Sequence, residues 1–208
     1  MSFRLIFTRH GESEANVAQV ISNRDLPHPL TAKGNAQTQA LADQLATNRI
    51  IALYASPILR AQQTAQILAA QWGLVVQTAD ALREFDCGEM EGRGDDAAWQ
   101  AHHAVVHAWD EENDLQRCIP GGESFADLKN RFVPFVKDLI AKYADRDSDV
   151  VLISHGSMLH QMLPVVLTNI DRPFTTQHPL GNCVCVYARL DGDQLICERW
   201  NGLSLVTD

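Results

Sequence analysis

Short apolar runs alternate with stripes of helical periodicity along most of the chain. An apolar run of about four to eight residues between turn signals predicts a buried strand, and apolar residues three and four apart predict a helix that packs by one face. Strands are predicted at 3–7, 50–55, 74–77 and 149–154, with a closing hairpin at 183–190 and 194–200. Helices are predicted at 32–47, 57–72, 95–117, 125–143 and from residue 157 onward. This alternation predicts an α/β fold, a three-layer α/β/α sandwich around a mostly parallel central sheet.

Local signals predict where several of these elements begin and end. Thr31 and Ser56 precede helical patterns and are predicted N-caps, the second followed by a proline at the first helical position. Gly73 is predicted to end the helix that Ser56 begins. Residues 14–30 and 169–181 are polar and interrupted by prolines, so both are predicted to be loops.

Polar side chains follow the predicted strands at the points where they end. Arg9 and His10 come at the end of the first strand, and His155 follows the strand at 149–154. Open α/β sheets bind ligands at the carboxyl ends of their strands, so His10 and His155 are expected at one edge of the sheet. Arg60 is expected in the first turn of a helix, where a cation opposes the helix dipole and indicates an anionic partner.

Each of these residues also has an ordinary explanation as a strand end or a surface charge. Glu84 has apolar neighbours that would raise its pKa, as a general acid requires, but it could equally be a loop carboxylate paired with Arg83. Asn16 and Ser22 could be turn residues. Taken together, two arginines and two histidines without a metal motif favour a phosphoryl group, whose transfer requires positive charge and hydrogen-bond donors.

Length and composition bound the possible functions. The 208 residues contain no low-complexity tract, which predicts one folded domain over 1–208 with residues 86–118 as a lid-like insertion. No apolar run approaches the roughly 20 residues of a membrane span, and the start at Met1 lacks a signal-peptide layout. Five cysteines without CxxC spacing indicate a reducing cytoplasm. The net charge of −9 disfavours nucleic-acid binding but is compatible with a local site for a small anion.

Three histidines in the predicted 95–117 helix raise the question of a metal site. His103 and His107 are one turn apart and could in principle hold a metal, but neither they nor His102 has a carboxylate or cysteine at a fitting spacing. We therefore expect neither a metal nor a cofactor. The acidic run Asp110–Asp114 is predicted to be a solvated patch.

Several stretches of the chain together resemble one family. They are Arg9-His10-Gly11-Glu12-Ser13 with Asn16, Pro29–Gly34, Tyr54–Ala65, Leu82–Phe85, Pro120–Ser124, Ser154-His155-Gly156 and the ending Arg199-Trp200-Asn201. Each stretch is weak evidence alone, but all of them occur in the order found in the histidine phosphatase superfamily. By this resemblance the chain is identified as a member of that superfamily, whose fold is the phosphoglycerate mutase-like sandwich.

The resemblance implies a role for each residue at the strand ends. His10 would be the nucleophile that becomes phosphohistidine, and Glu84 would protonate the leaving oxygen and then activate water. Arg9, Arg60 and His155 would hold the phosphoryl group. Further phosphate or substrate contacts are expected from Asn16, Ser22 and Gly156.

The resemblance covers both phosphatases and mutases. The stretch between Glu84 and Pro120 is shorter than the insertion that closes the mutase site against water, and the run Phe85–Gly92 resembles the phosphatase branch. We therefore expect a phosphomonoester hydrolase that releases inorganic phosphate from a small phosphorylated metabolite. The alternatives are a cofactor-dependent phosphoglycerate mutase and a non-catalytic binding protein on the same fold. No readable motif identifies the substrate or the oligomeric state.

Overall fold

This computed structural model describes residues 3–206 of the chain. These residues form a fold built around a seven-stranded sheet. Within those residues the strands are β1 Arg4–Arg9, β2 Ile50–Ala55, β3 Val76–Thr78, β4 Asp149–Ser154, β5 Cys185–Asp191, β6 Gln194–Trp200 and β7 Leu203–Ser204. The helices are α1 Glu14–Ala18, α2 Ala32–Gln44, α3 Leu59–Trp72, α4 Asp96–Asp110, α5 Phe125–Tyr143, α6 Gly156–Val166 and α7 Arg172–Gln177, with 3₁₀ turns at Asp80–Leu82 and Gly88–Met90. The predicted domain spans residues 1–208, and residues 1–2 and 207–208 lie outside the described part of the chain. The prediction that the start at Met1 lacks a signal peptide also concerns residues outside it. None of the helices in 3–206 combines the length and apolar character needed to cross a bilayer.

The order of the strands brings two chain segments together at one edge of the sheet. Across the sheet the order is β3-β2-β4-β1-β5-β6-β7, and the first four strands run parallel whereas the last three are antiparallel to their neighbours. Arg9 at the end of β1 lies opposite Ser154 at the end of β4. His10 and His155 therefore leave the sheet side by side, and the predicted mostly parallel sheet is confirmed.

Alternate strand residues contribute to two cores, one on each face of the sheet. Leu5 and Phe7 of β1 pack on one face with residues from α5 and α6. Ile6 packs on the opposite face with residues from α2 and α3. Every residue of the central strand β4 is buried, as expected for a parallel strand covered by helices on both sides. The predicted three-layer α/β/α architecture is confirmed.

Two predicted loops contain short helices. The prediction for residues 14–30 is wrong at its start, because α1 forms there on a capping box in which Ser13 N donates to Asn16 Oδ1 at 3.1 Å. The prediction for residues 169–181 is wrong in the same way, because the Asp171 side chain accepts a hydrogen bond from Phe174 N at 2.9 Å and caps α7. Helices this short show no periodicity, and their hydrogen-bonded caps stabilise them locally.

Of the two predicted N-caps, one is confirmed by the structure and the other is not. Thr31 accepts a hydrogen bond from Gly34 N at 3.0 Å, and this prediction is confirmed. The prediction that Ser56 caps a helix is wrong, because α3 begins at Leu59 and the Ser56 hydroxyl lies 2.8 Å from His155 Nε2. Arg60 nevertheless lies in the first turn of α3, as predicted.

Three further predictions are corrected near element ends. The strand predicted at 74–77 begins later, because Leu74 N still bonds to Ala69 O at the end of α3. The helix predicted at 95–117 ends at Asp110, and Asn113 then takes a positive φ of 54° that turns the chain. Asp110 is not solvated as predicted, because its side chain is only 16% exposed and lies 3.5 Å from Arg172 Nη1.

Gly34 allows the start of α2 to pack against the turn that follows β1. A Cβ added at this position would lie 2.0 Å from Glu12 O, a backbone atom that cannot move aside cheaply. We expect Gly34→Ala to lower the free energy of unfolding by about 1–3 kcal/mol, as overpacking does. Urea denaturation followed by circular dichroism measures this. The control is Gly181→Ala, whose added Cβ meets only a Val184 methyl at 3.5 Å; equal stability of the two variants would contradict the packing argument.

Candidate active site

The carboxyl ends of β1 and β4 converge with the first turn of α3 on one small volume. The His10 and His155 rings are 5.1 Å apart between centroids, and Arg60 and Glu84 approach from α3 and from the loop after β3. All four side chains are almost wholly buried, with exposed fractions of 2%, 0%, 5% and 8% in the order just given. Burying several ionisable groups together is unfavourable for folding, and such clusters are characteristic of functional sites.

Two hydrogen bonds determine the tautomer of His10. Its Nδ1 lies 2.7 Å from the backbone oxygen of Gly11, which can only accept, so Nδ1 carries the proton. Its Nε2 accepts a hydrogen bond from Arg60 Nε at 2.9 Å and is therefore the unprotonated nitrogen, which carries the lone pair. Burial and the charges of Arg60 and Arg9 lower the pKa of His10 well below its usual value. The imidazole is thus neutral at neutral pH, the state in which a histidine can act as a nucleophile.

Arg60 is held by groups on the loop that follows α1. Its guanidinium donates to the Ser22 backbone oxygen and reaches Asn23 Oδ1 at 3.5 Å. Burial lowers the pKa of Arg60 to about 10, so the side chain remains a cation at neutral pH. No sequence signal marks Asn23, because its contact depends on where the loop returns to the sheet.

Arg9 lies beneath the start of α6. Its Nη1 donates to Leu180 O at 3.1 Å, whereas its buried Nε has no hydrogen-bond partner among the described residues. A Cβ added at Gly156 would lie 3.3 Å from the guanidinium carbon, so glycine allows Arg9 to approach this backbone closely. Asn182, which sequence reasoning missed, donates from Nδ2 to His10 O at 2.9 Å and fixes the loop beside the site.

His155 is a second buried neutral imidazole. Its Nε2 lies 2.8 Å from the Ser56 hydroxyl, and its buried Nδ1 has no hydrogen-bond partner in the described part of the chain. Burial, with the charge of Arg60, lowers the pKa of His155 well below its usual value. With Nε2 bonded to Ser56, Nδ1 is the nitrogen available to an incoming group.

Glu84 is held by backbone amides, and among residues 3–206 no side chain of opposite charge is in direct contact with it. Its Oε1 accepts from Phe85 N at 3.1 Å, and its Oε2 accepts from Ser157 N at 3.0 Å. Burial raises the pKa of Glu84, although these amides and Arg60 partly oppose the shift. The alternative of an ion pair with Arg83 is not what the structure shows, because Arg83 pairs with Asp80 at 2.9 Å.

Asn16 and Ser22 also line the cavity. Asn16 Oδ1 accepts from Ser13 N at 3.1 Å, which leaves Nδ2 as the atom that Asn16 can present to a ligand. The Ser22 hydroxyl lies 2.8 Å from His28 Nδ1, and its backbone oxygen accepts from Arg60. The structure therefore places Asn16 at the cavity wall and Ser22 mainly as a support for Arg60.

The three histidines of α4 do not form a metal-binding group, although the His102 and His103 rings are 5.5 Å apart between centroids. His102 faces the cavity and lies between Trp99 and Phe85, with ring centroids 5.3 and 5.1 Å away. His107 is exposed and lies 3.6 Å from Glu112. Among residues 3–206 no three His, Cys, Asp or Glu side chains come together in the arrangement of a metal site.

The cavity of about 320 Å³ is lined by two chemically different sets of side chains. One set combines a neutral imidazole, two guanidinium cations and a carboxyl with a raised pKa. Such a set can bind a tetrahedral oxyanion, attack its central atom and transfer a proton to a departing oxygen. The other set includes apolar and aromatic side chains such as Val20, Trp99 and Leu180.

A family described as the histidine phosphatase superfamily (branch 1) matches residues 5–202. Among curated proteins, the 2,3-bisphosphoglycerate-dependent phosphoglycerate mutase of Brucella ovis is 29% identical over 205 residues, which are 96% of this chain and 98% of the relative.

Solved structures with similar folds carry the names of phosphatases. A mycobacterial glucosyl-3-phosphoglycerate phosphatase in complex with VO3 is 26% identical with a TM-score of 0.80, covering 96% of this chain and 99% of the other. The alpha-ribazole phosphatase of Shigella flexneri is 25% identical with a TM-score of 0.78, covering 99% of each chain. The names of these relatives differ in the substrate they state.

Proposed function

The chain belongs to the histidine phosphatase superfamily, and we propose that it is a phosphomonoester hydrolase that forms a phosphohistidine on His10. The observation that carries the proposal is the buried, neutral His10, whose Nε2 lone pair faces Arg60 at 2.9 Å. The relatives that act as phosphatases by name support a hydrolase.

The first step forms the covalent intermediate. His10 Nε2 attacks the phosphorus atom, the P–N bond forms, and the bond to the ester oxygen breaks. Glu84 gives its proton to that oxygen, so the alcohol leaves neutral. The raised pKa of Glu84 keeps it protonated at a higher pH than an exposed carboxyl, as this role requires.

The second step releases phosphate. Glu84, now a carboxylate, removes a proton from a water molecule that attacks the phosphorus atom, and the P–N bond breaks to restore neutral His10. Arg9 and Arg60 supply positive charge to the phosphoryl oxygens, and His155 Nδ1, Asn16 Nδ2 and the Gly156 backbone N–H donate hydrogen bonds. Because two guanidinium groups already supply this charge, we propose that no metal and no other cofactor takes part.

The residues around the site support two further proposals. Residues 86–118, which include α4, form the lid-like insertion within a single domain, because α4 covers the site and contributes Trp99 and His102 to its wall. We also propose a cytoplasmic location, since each of the five cysteines, Cys87, Cys118, Cys183, Cys185 and Cys197, is a free thiol.

The alternative activity is that of the mutase relative. A mutase returns the phosphoryl group from His10 to a second hydroxyl, whereas a hydrolase gives it to water. Incubation with 3-phosphoglycerate and catalytic 2,3-bisphosphoglycerate, followed by quantification of 2-phosphoglycerate and inorganic phosphate, separates the two. A non-catalytic binding protein would yield neither product.

Oxyanions that resemble the transferred group are expected to inhibit competitively. Vanadate adopts the five-coordinate geometry of the displacement and should bind more tightly than inorganic phosphate. Arg60→Ala should weaken vanadate inhibition by roughly 10- to 100-fold, because a charged hydrogen-bond partner is lost. Initial rates with p-nitrophenyl phosphate in EDTA-free buffer give the inhibition constants, because EDTA chelates vanadate. A separate activity assay without vanadate, in EDTA-containing buffer, tests metal independence.

The control for this experiment is Arg146→Ala, which removes an exposed arginine that does not line the cavity. Circular dichroism establishes that both variants are folded. Inhibition that is absent from the wild type, or that is unchanged in Arg60→Ala, would contradict the oxyanion site. Activity that disappears in EDTA and returns with Mg²⁺ or Zn²⁺ would contradict the proposed metal independence.

A further inference from the structure

Besides the phosphoryl-binding groups, the cavity wall contains a second set of side chains, here named the leaving-group compartment. It comprises Ala15, Val20, Trp99, His102, Val106 and Leu180. The indole N–H of Trp99 donates to Gln19 O at 2.8 Å, so its donor is already used and the ring offers apolar surface. An apolar, partly aromatic wall of this kind favours contact with an apolar or flat group.

The compartment carries no formal charge on its lining side chains in the described part of the chain. The charged residues that line the whole cavity are Arg9, Arg60 and Glu84, and all three belong to the phosphoryl-binding set. His102 packs between two aromatic rings, and burial lowers its pKa to about 4. It is therefore neutral at physiological pH and adds no positive charge to the wall.

Two arginines that flank α4 already have anionic partners. Arg93 lies 2.8 Å from Asp95, and Arg172 lies 3.5 Å from Asp110. His160 and Gln161 are further polar groups in the cavity wall, and burial lowers the pKa of His160. An uncharged amide and a neutral imidazole can hydrogen-bond to a hydroxyl group, but they cannot neutralise a second phosphate or a carboxylate.

A second anionic group would lose its hydration in this compartment without gaining a counter-charge, which is unfavourable. We infer that the substrate is the monophosphate of an uncharged alcohol with an apolar or aromatic surface, and that phosphorylated acids and bisphosphates are poor substrates. This inference rests on the proposed phosphatase function and names the substrate class of the same site.

Matched substrates test the inference on the wild-type protein. Glycerol 3-phosphate and 3-phosphoglycerate differ only in a hydroxymethyl group and a carboxylate at one end, and benzyl phosphate and 4-carboxybenzyl phosphate form a second such pair. We expect kcat/KM to be at least about tenfold higher for the uncharged member of each pair, and higher for benzyl phosphate than for glycerol 3-phosphate. Release of inorganic phosphate is the readout.

Two variants of the compartment sharpen the test. Trp99→Ala should lower kcat/KM for benzyl phosphate several-fold, mainly through KM, and Trp99→Phe should restore most of it. Val106→Lys should raise kcat/KM for 3-phosphoglycerate relative to glycerol 3-phosphate, because it adds the missing counter-charge. The matched control is Val75→Lys, which places the same cation on an 83% exposed position outside the cavity.

The outcomes separate this inference from the proposed function. Phosphate release from p-nitrophenyl phosphate with equal or better turnover of the carboxylate-bearing esters would overturn the inference and leave the phosphatase in place. A Val106→Lys variant that is folded and shows the same substrate ratio as Val75→Lys would also overturn it. No phosphate release from any ester would instead contradict the proposed function.

Discussion

His10→Ala abolishes the turnover of every phosphomonoester, with an expected loss of at least about 10⁴-fold in kcat. The reason is that the unprotonated nitrogen of His10, Nε2, lies 2.9 Å from Arg60, one of the cations proposed to hold the phosphoryl group. His155 has a different proposed role, because its Nε2 is engaged with Ser56 at 2.8 Å and the Nδ1 that it presents to the site donates to a phosphoryl oxygen. Steady-state assays with aryl and alkyl phosphates measure the loss.

A second histidine variant controls for unspecific effects of the substitution. His107→Ala removes an imidazole that is 63% exposed and outside the cavity, so its kcat should match that of the wild type. Phosphate binding to His10→Ala, measured by calorimetry, should persist, since both arginines remain. A folded His10→Ala variant that retains substantial turnover would remove His10 from the nucleophile's role.

Glu84→Gln should slow the hydrolysis of alkyl phosphates by roughly 10²- to 10⁴-fold, the usual contribution of a general acid. The rate of the first step should fall less for aryl phosphates, because their leaving groups depart without a proton. The pH dependence follows from the raised pKa of Glu84. As the pH rises through that pKa, the wild type loses the catalytic proton and kcat for alkyl esters falls. This fall is the basic limb of the pH–rate profile, and the profile of Glu84→Gln should lack it.

Glu89→Gln is the matched control for the acid, since Glu89 is an exposed carboxylate on a neighbouring 3₁₀ turn. It should leave both the rate and the pH profile unchanged. Equal losses of kcat/KM, which reports the first step alone, for aryl and alkyl esters in Glu84→Gln, together with an unchanged basic limb, would show that Glu84 is not the proton donor.

The parts of the site that sequence reasoning predicted share one physical basis. Buried parallel strands end at a common edge, so the residues after two strong apolar runs had to meet, and His10 and His155 do. Arg60 lies in the first turn of a helix in both the prediction and the structure. Apolar neighbours led to the expectation of a raised pKa for Glu84, and the buried carboxyl has one.

The parts that sequence reasoning missed depend on contacts between distant loops. Asn182 reaches the backbone of His10 from the far end of the chain, and Asn23 meets Arg60 through a loop of irregular backbone. The hydroxyl of Ser56 bonds to a histidine 99 residues away instead of capping the helix next to it. Such pairings leave no periodic pattern in the sequence.

The weak pattern of α4 has a structural cause as well. One side of this helix packs into the core through residues such as Val105 and Trp109, whereas Trp99, His102 and Val106 face the cavity. The exposed side of α4 carries Gln100, His103 and His107, so the helix does have a polar face, but its apolar surface is wide. The poor periodicity of residues 95–117 reflects this wide apolar surface and the residues after Asp110, which are not helical.

The most direct test of the central claim is to trap the covalent intermediate in Glu84→Gln. With an aryl phosphate the first step needs no proton from residue 84, while the release of phosphate needs its carboxylate, so the phosphoenzyme should accumulate. Mixing the variant with p-nitrophenyl phosphate, denaturing in alkali and mapping peptides by mass spectrometry should locate one phosphoryl group on His10, with a matching burst of p-nitrophenol. A phosphoryl group on another residue, or turnover without any phosphoenzyme, would contradict the account.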